Sequence, residues 1–347
     1  MAIPGGLAGW CLAHLAIGVA GTWLARRYAL HRELIDQPGE RRSHVLATPR
    51  GGGIAIVFSA ALALGWMALA NAIPAHWIAC VGTGLALVAG IGWLDDHRPL
   101  SPWSRLAVQA MAAALVAVAL LLDGRGPGTA VLGFATVMVL ANVWNFMDGI
   151  DGLATSQALL VALAWAWLAW PGPIAWLLLA VAAACLGFLP FNLPRARIFL
   201  GDVGSGSLGY LLAVGLLWLP VDALHWPWLA WLPLSAFLVD ATLTLSLRIL
   251  RRERWWTPHL QHAYQRWTAM SGRHAPVAFA SLFARLLPVA EHPDAVAETV
   301  VCTILVTWIS VGMTAVVSRR LDIARHRAEA ELRAMARIDP LTGLLNR

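Results

Sequence analysis

The chain has 347 residues, of which 59% are hydrophobic and only 13% charged, with a mean hydropathy of +0.67. A soluble domain of this size would be about one-quarter charged, so that class is excluded. The formal net charge of +6 is no nucleic-acid footprint, because all 25 basic residues are arginines scattered over short loops between apolar runs, and the lack of lysine also excludes a lysine base or Schiff base.

A transmembrane helix needs about 20 apolar residues. Runs near 7–25, 54–73, 77–94, 105–122, 129–147, 155–170, 174–192, 207–220 and 228–249 qualify, a weaker one near 276–290 is interrupted by Arg285, and another lies near 297–317. The expected fold is all-α: a polytopic membrane protein of about ten or eleven transmembrane helices. The first run is followed by Arg26-Arg27 rather than a small-residue cleavage site, so it reads as a span and not a leader. Many of the 19 Trp fall near run ends, where interfacial anchors belong. Cys11, Cys80, Cys185 and Cys302 lie inside apolar runs and read as small buried hydrophobes, without disulfide or metal spacing.

Arginine-bearing loops at 26–53, 95–104, 193–206 and 250–275 alternate with connections near 74–76, 171–173 and 221–227 that have none, and one near 123–128 with Arg125 alone. The positive-inside rule places the basic loops in the cytoplasm and the N-terminus outside. Every polar cluster then shares the cytoplasmic face. Asp36, Arg41, Arg42, His44 and Arg50-Gly51-Gly52-Gly53 lie in the first loop, and Asp95-Asp96 end the third run. Asn142, Asn145 and Asp148 end the fifth run at every third position, which puts them on one helix face; Gly149, Asp151 and Gly152 follow. Charge at membrane depth is costly, so such clusters point to function.

Gly201-Asp202-Val203-Gly204-Ser205-Gly206-Ser207 opens the eighth run and offers backbone N–H groups and a helix N-terminus to an anion. Separated Asp residues without a Cys or Glu cage suit Mg²⁺, which takes one or two carboxylates plus phosphates and water. His259 and His262 stand about one helical turn apart; zinc would lack a third ligand, so histidine beside a diphosphate is the better reading. Blander readings stand beside these. Asp95-Asp96 taken alone is a solvated helix end, and Arg26, Arg27, Arg32 and the cluster 251–256 read first as membrane anchors.

Taken in order, the motifs resemble the polyprenyl-phosphate N-acetylhexosamine-1-phosphate transferases, a family that includes the phospho-N-acetylmuramoyl-pentapeptide transferase and the enzymes that initiate O-antigen. The resemblance is carried by Asp36-x-Pro38-x-x-Arg41-x-Ser43-His44 with Thr48-Pro49-Arg50-Gly51-Gly52-Gly53; by Asp95-Asp96 with Leu100, Arg105 and Gln109; by Asn142-x-x-Asn145-x-x-Asp148-Gly149-x-Asp151-Gly152; by Gly201-Asp202-x-Gly204-Ser205; and by His259-x-x-His262-Ala263-Tyr264. It covers roughly residues 1–267, with wording closer to the O-antigen-initiating branch.

The resemblance implies that a UDP-N-acetylhexosamine and undecaprenyl phosphate react at a bacterial inner membrane to give an undecaprenyl diphosphate-sugar and UMP. Mg²⁺ is the implied cofactor, with Mn²⁺ as an alternative; the lipid bilayer is the implied surround, a homodimer is compatible, and nucleic acid is not a partner. It makes Asp202 the metal ligand, with Asp95, Asp96 and Asp202 catalytic. His44, Arg50, Asn142, Asn145, Asp148, Asp151, Gly204, Ser205, His259 and His262 become substrate-binding residues.

Asp95-Asp96 continues as His97-Arg98-Pro99, without the third acid of an intramembrane aromatic prenyltransferase. The transferase-like domain is expected over 1–290, an additional span and charged helix over 291–337, and over 338–347 a tail resembling the start of a diguanylate cyclase domain without its signature. A multi-span sensor feeding a cyclase is therefore the alternative function. A transporter is disfavoured, because only Asp240 lies deep within a run.

Overall fold

The computed structural model describes residues 6–37, 47–193, 195–220 and 227–252. His44, His259, His262, the runs near 276–290 and 297–317 and the cyclase-like tail lie outside the described residues.

The described chain is helical almost throughout: α1 (Gly6–His31), α2 (Ile54–Leu69), α3 (Ala75–His97), α4 (Pro102–Leu122), α5 (Pro127–Met147), α6 (Leu153–Leu168), α7 (Pro173–Asn192), α8 (Gly201–Leu217) and α9 (Ser235–Leu250). Among the described residues, five helices (α1, α3, α4, α5 and α7) are long and apolar enough to cross a membrane, while α2, α6 and α8 are shorter apolar helices. Proline at the first turn opens α4, α5 and α7, where its missing N–H costs nothing. Ser101 also caps α4 by accepting from Trp103 N.

The predicted ninth run, 228–249, is not one helix. It begins as a 3₁₀ segment, Pro227–Leu234, and becomes α-helical only at Ser235. Pro233 explains the break, because it has no N–H to donate and its ring crowds the preceding turn. The all-α reading needs one small addition: β1 (Ile35–Asp36) pairs antiparallel with β2 (Thr48–Pro49), with Ile35 opposite Pro49 and Asp36 opposite Thr48. This ladder ties the end of α1 to the start of α2, and Arg50 N continues it by donating to Leu34 O at 3.1 Å.

Helix α8 is the central element, buried at every position from Val203 to Leu216 and packed against α2, α3, α5 and α6. Its small residues make that possible. A Cβ on Gly53 would overlap the Gly204 backbone, so α2 and α8 meet at their first turns only because both residues are glycine. Helix α7 packs against α1, α2 and α6. Interior indoles find backbone acceptors: Trp10 on Trp176 O at 3.0 Å, Trp144 on Ala154 O at 3.1 Å and Trp165 on Ala230 O at 2.9 Å. His14 and Ser59 form a buried 2.7 Å pair between α1 and α2. Large side chains such as Leu69, Val131 and Trp167 are exposed, as on a surface that faces lipid.

The helix ends define two poles. At one, Asp123 at the end of α4 accepts from Trp77 Nε1 at 2.6 Å and pairs with His76 Nε2 at 2.8 Å. The polar motifs converge on the other.

Candidate active site

Asp96, on the last turn of α3, turns its carboxylate toward the first turn of α8. Its Oδ1 accepts from Asp202 N at 3.0 Å and its Oδ2 from Val203 N at 3.1 Å. Helix N-termini carry unpaired donors and partial positive charge, and a carboxylate satisfies both. Asp96 is only 2% exposed. Arg50, just before α2, donates from Nη2 to Asp96 O at 2.6 Å and sets its Nε 3.9 Å from Asp96 Oδ1. One buried acid thus joins the starts of α2 and α8 to the end of α3. The glycine-rich turn was expected to present its N–H groups to a substrate anion; two of those amides are already bound by the protein's own carboxylate.

Asp95, the preceding residue, accepts from Leu100 N at 2.7 Å through Oδ1, while its Oδ2 receives Arg105 Nη1 at 3.3 Å. The same Nη1 also donates to Asp202 Oδ2. Arg105 therefore bridges the end of α3 to the start of α8 from the first turn of α4. Asn145, on the last turn of α5, divides its amide hydrogens between Asp202 Oδ1 at 3.1 Å and Ser205 Oγ at 3.0 Å. One turn back, Asn142 donates to Gln109 Oε1 at 2.9 Å and Met138 O at 2.8 Å.

Asp148 follows immediately after α5, and no hydrogen bond from a described residue reaches its carboxylate. Removal from water, followed by the fields of Asp202, Asp96 and Asp151, pushes its carboxyl well above the ordinary carboxylate range. The chain then turns through Gly152, whose φ of +73° is left-handed, and enters α6. The turn is held from behind: Gly152 N donates to Asn192 Oδ1 at 2.9 Å, and Asn192 Nδ2 reaches Ile198 O at 3.0 Å. Asp151 Oδ2 accepts from Ala196 N at 3.0 Å.

An open cleft lies between α3, α4, α5 and α8. Arg105, Gln109, Asn142, Asn145 and Asp202 form its polar wall, and Trp103, Leu106 and Phe146 form an apolar side. Trp103 and Phe146 are exposed on the outer surface, so the cleft joins the carboxylate cluster to the apolar exterior. Among the described residues no group of three His, Cys, Asp or Glu side chains could hold a metal. Among the described residues, no donor reaches the Asp148 carboxylate or the amide oxygens of Asn142 and Asn145.

The structure thus brings together Asp95, Asp96, Asp148, Asp202, Asn142, Asn145 and Arg50. It moves two expected substrate contacts elsewhere. Gly204 is buried against Gly53, and Ser205, 1% exposed, serves Asn145; neither faces the cleft, because α8 turns those positions toward α2 and α5. Asp151, 9% exposed, clamps the loop after α7. Arg105 and Gln109 were legible only as motif residues, yet they line the cleft at i and i+4 on one face of α4, and that polar pair on an otherwise apolar helix was the signal. Asn192 left only a lone polar residue at the end of an apolar run.

The family model of glycosyl transferase family 4 matches residues 77–219. The decaprenyl-phosphate N-acetylglucosaminephosphotransferase of Mycobacterium tuberculosis (strain CDC 1551 / Oshkosh) is 34% identical over 52% of this chain and 52% of its own length. The chain thus spans about half the length of this relative. The phospho-N-acetylmuramoyl-pentapeptide-transferase of Deinococcus radiodurans is 32% identical over 63% of this chain and 76% of its own length. The probable undecaprenyl-phosphate N-acetylglucosaminyl 1-phosphate transferase of Bacillus subtilis is 28% identical over 73% and 75%.

Proposed function

This chain belongs to glycosyl transferase family 4, and we propose that it transfers an N-acetylhexosamine 1-phosphate from a UDP-sugar to undecaprenyl phosphate. The observation that carries the reading is the bridge Asp95–Arg105–Asp202 at a cleft with one polar wall and one apolar side. Phosphoryl transfer needs positioned phosphates and neutralised charge more than covalent help from the protein. A lipid acceptor needs apolar access to the same point. This cleft supplies both.

In the reaction, an oxygen of the lipid phosphate attacks the β-phosphorus of the UDP-sugar, the bond to the α-phosphate oxygen breaks, and UMP leaves. In this reading Asp95 positions the acceptor phosphate or takes its proton, and Arg105 and Arg50 donate to phosphate oxygens. Asn142 and Gln109 orient polar groups along the wall. Asp96 acts as a positioning residue, because both its oxygens hold α8.

The donor set fits Mg²⁺: hard oxygens only, few protein ligands, and room for phosphates to complete the shell. Asp202 would hold the ion with the Asn145 amide oxygen and Asp148 close by. When bound, it would supply charge neutralisation on the diphosphate. The arginine pattern supports a cytoplasmic site in a bacterial inner membrane, and the motif wording supports a role at the start of O-antigen or other envelope polysaccharide synthesis.

The test is UMP release from a panel of UDP-N-acetylhexosamines by membranes containing the full chain, with and without undecaprenyl phosphate and Mg²⁺. Release that requires both identifies the reaction and the sugar. No release from any sugar by well-inserted protein refutes the reading.

A further inference from the structure

The described site contains its own cation on the carboxylate that a metal would need. Each oxygen of Asp202 already accepts a hydrogen bond, Oδ1 from Asn145 and Oδ2 from Arg105. Arg105 is held there from two sides, because the same Nη1 also meets Asp95 Oδ2 at 3.3 Å, and its guanidinium is 29% exposed. It stands on the first turn of α4, which Ser101 and Pro102 begin, while Asp95 and Asp202 come from α3 and α8. The acids it joins are crowded, since Asp96 follows Asp95 and binds the Asp202 amide, and Arg50 pairs with Asp96 rather than with either of them. Without a counterion, Asp95 and Asp202 would repel across α3 and α8.

From this geometry we infer that Arg105 is a counterion latch. It sits on Oδ2 of Asp202, keeps Asp95 and Asp202 together when no divalent ion is present, and competes with an incoming ion for that carboxylate. The inference rests on the proposed metal role of Asp202. A guanidinium on Oδ2 takes one of that oxygen's acceptor sites and repels a second cation, so metal affinity is lowered by whatever the latch contributes. A single charge-assisted hydrogen bond sets that penalty at about tenfold in Kd. The released guanidinium, still within reach of the cleft, becomes a planar donor for phosphate. The latch would therefore discourage unproductive metal binding in the empty site.

The experiment is Mn²⁺ binding to the detergent-solubilised full chain, followed by electron paramagnetic resonance titration and by the metal-induced shift in apparent melting temperature. Compared are the wild type, Arg105→Gln, Arg105→Lys and Asp202→Asn. The expected result is that Arg105→Gln binds Mn²⁺ about tenfold more tightly than wild type, that Arg105→Lys stays within about threefold of wild type because the charge is kept, and that Asp202→Asn abolishes binding. A gain in affinity is not what a merely damaged fold produces. Loss of binding in Asp202→Asn with an unchanged Kd in Arg105→Gln overturns the latch and leaves the metal role of Asp202 standing. Unchanged binding in Asp202→Asn, or no binding by any of these proteins when well folded, overturns both.

Discussion

Asp96→Asn separates scaffold from chemistry. The carboxylate binds two amides of α8, at 3.0 and 3.1 Å, and is 2% exposed. An Asn side chain keeps one acceptor and turns an NH₂ toward the other amide, so one buried N–H loses its partner. Losing a charge-assisted hydrogen bond costs about 1.5–3 kcal/mol, and losing the charge at a helix N-terminus adds about 0.3–1 kcal/mol. The expected destabilisation is about 3 kcal/mol, or about 4 °C in apparent melting temperature for a chain of this size. Unfolding of detergent-solubilised membrane protein is commonly irreversible, so wild type and variant are scanned at one rate. Asp95→Asn is the control. Its carboxylate reaches Leu100 N and Arg105 at the cleft rather than α8 amides, so its melting temperature should stay within about 2 °C of wild type while transfer falls at least about 100-fold. Asp96→Asn melting with wild type, or Asp95→Asn melting as low as Asp96→Asn, would refute the division of roles between neighbouring acids.

Three further outcomes are expected. Ser205→Ala should cost about 1 kcal/mol through the lost Asn145 bond and leave the KM for the nucleotide sugar within about twofold; a large rise in KM would return Ser205 to the substrate. Because the Asp148 carboxyl is raised above its unfolded value, its ionisation opposes folding: its contribution is fullest below about pH 4 and is lost as pH rises through the raised value. The wild-type melting temperature in chelator should therefore fall from pH 5 to pH 8 more steeply than that of Asp148→Asn, and parallel curves would show that Asp148 ionises freely. Asp123→Ala, at the far pole, should lower the melting temperature by removing the acceptor for Trp77 and His76 but leave kcat unchanged; a fall in kcat would show that the two poles communicate.

Much of this protein is legible as a string. Bilayer thickness and the need to satisfy every backbone group inside it leave helices as the solution for apolar runs of this length, and α1 to α8 lie on the first eight of those runs. Arginine spacing and motif order were also local signals, and they named Asp95, Asp148, Asp202, Asn142, Asn145 and Arg50 before any coordinates. Pro233 was visible too, although its effect in splitting the ninth run depended on where the 3₁₀ segment docks, with Trp165 donating to Ala230 O.

Only the tertiary structure decided what each polar residue does. Asp95 and Asp96 are neighbours in sequence, yet the helical turn of about 100° between them sends one toward Arg105 and the cleft and the other under α8. Gly204 and Ser205 look like a phosphate loop, but they are consumed by packing because α8 is buried on all sides. Arg105 reads as a motif residue just beyond a basic loop until α3, α4 and α8 meet around it. Hydrophobicity is additive along the chain and can be read there. Which oxygen faces which donor depends on helices far apart in sequence, and is settled only when they pack.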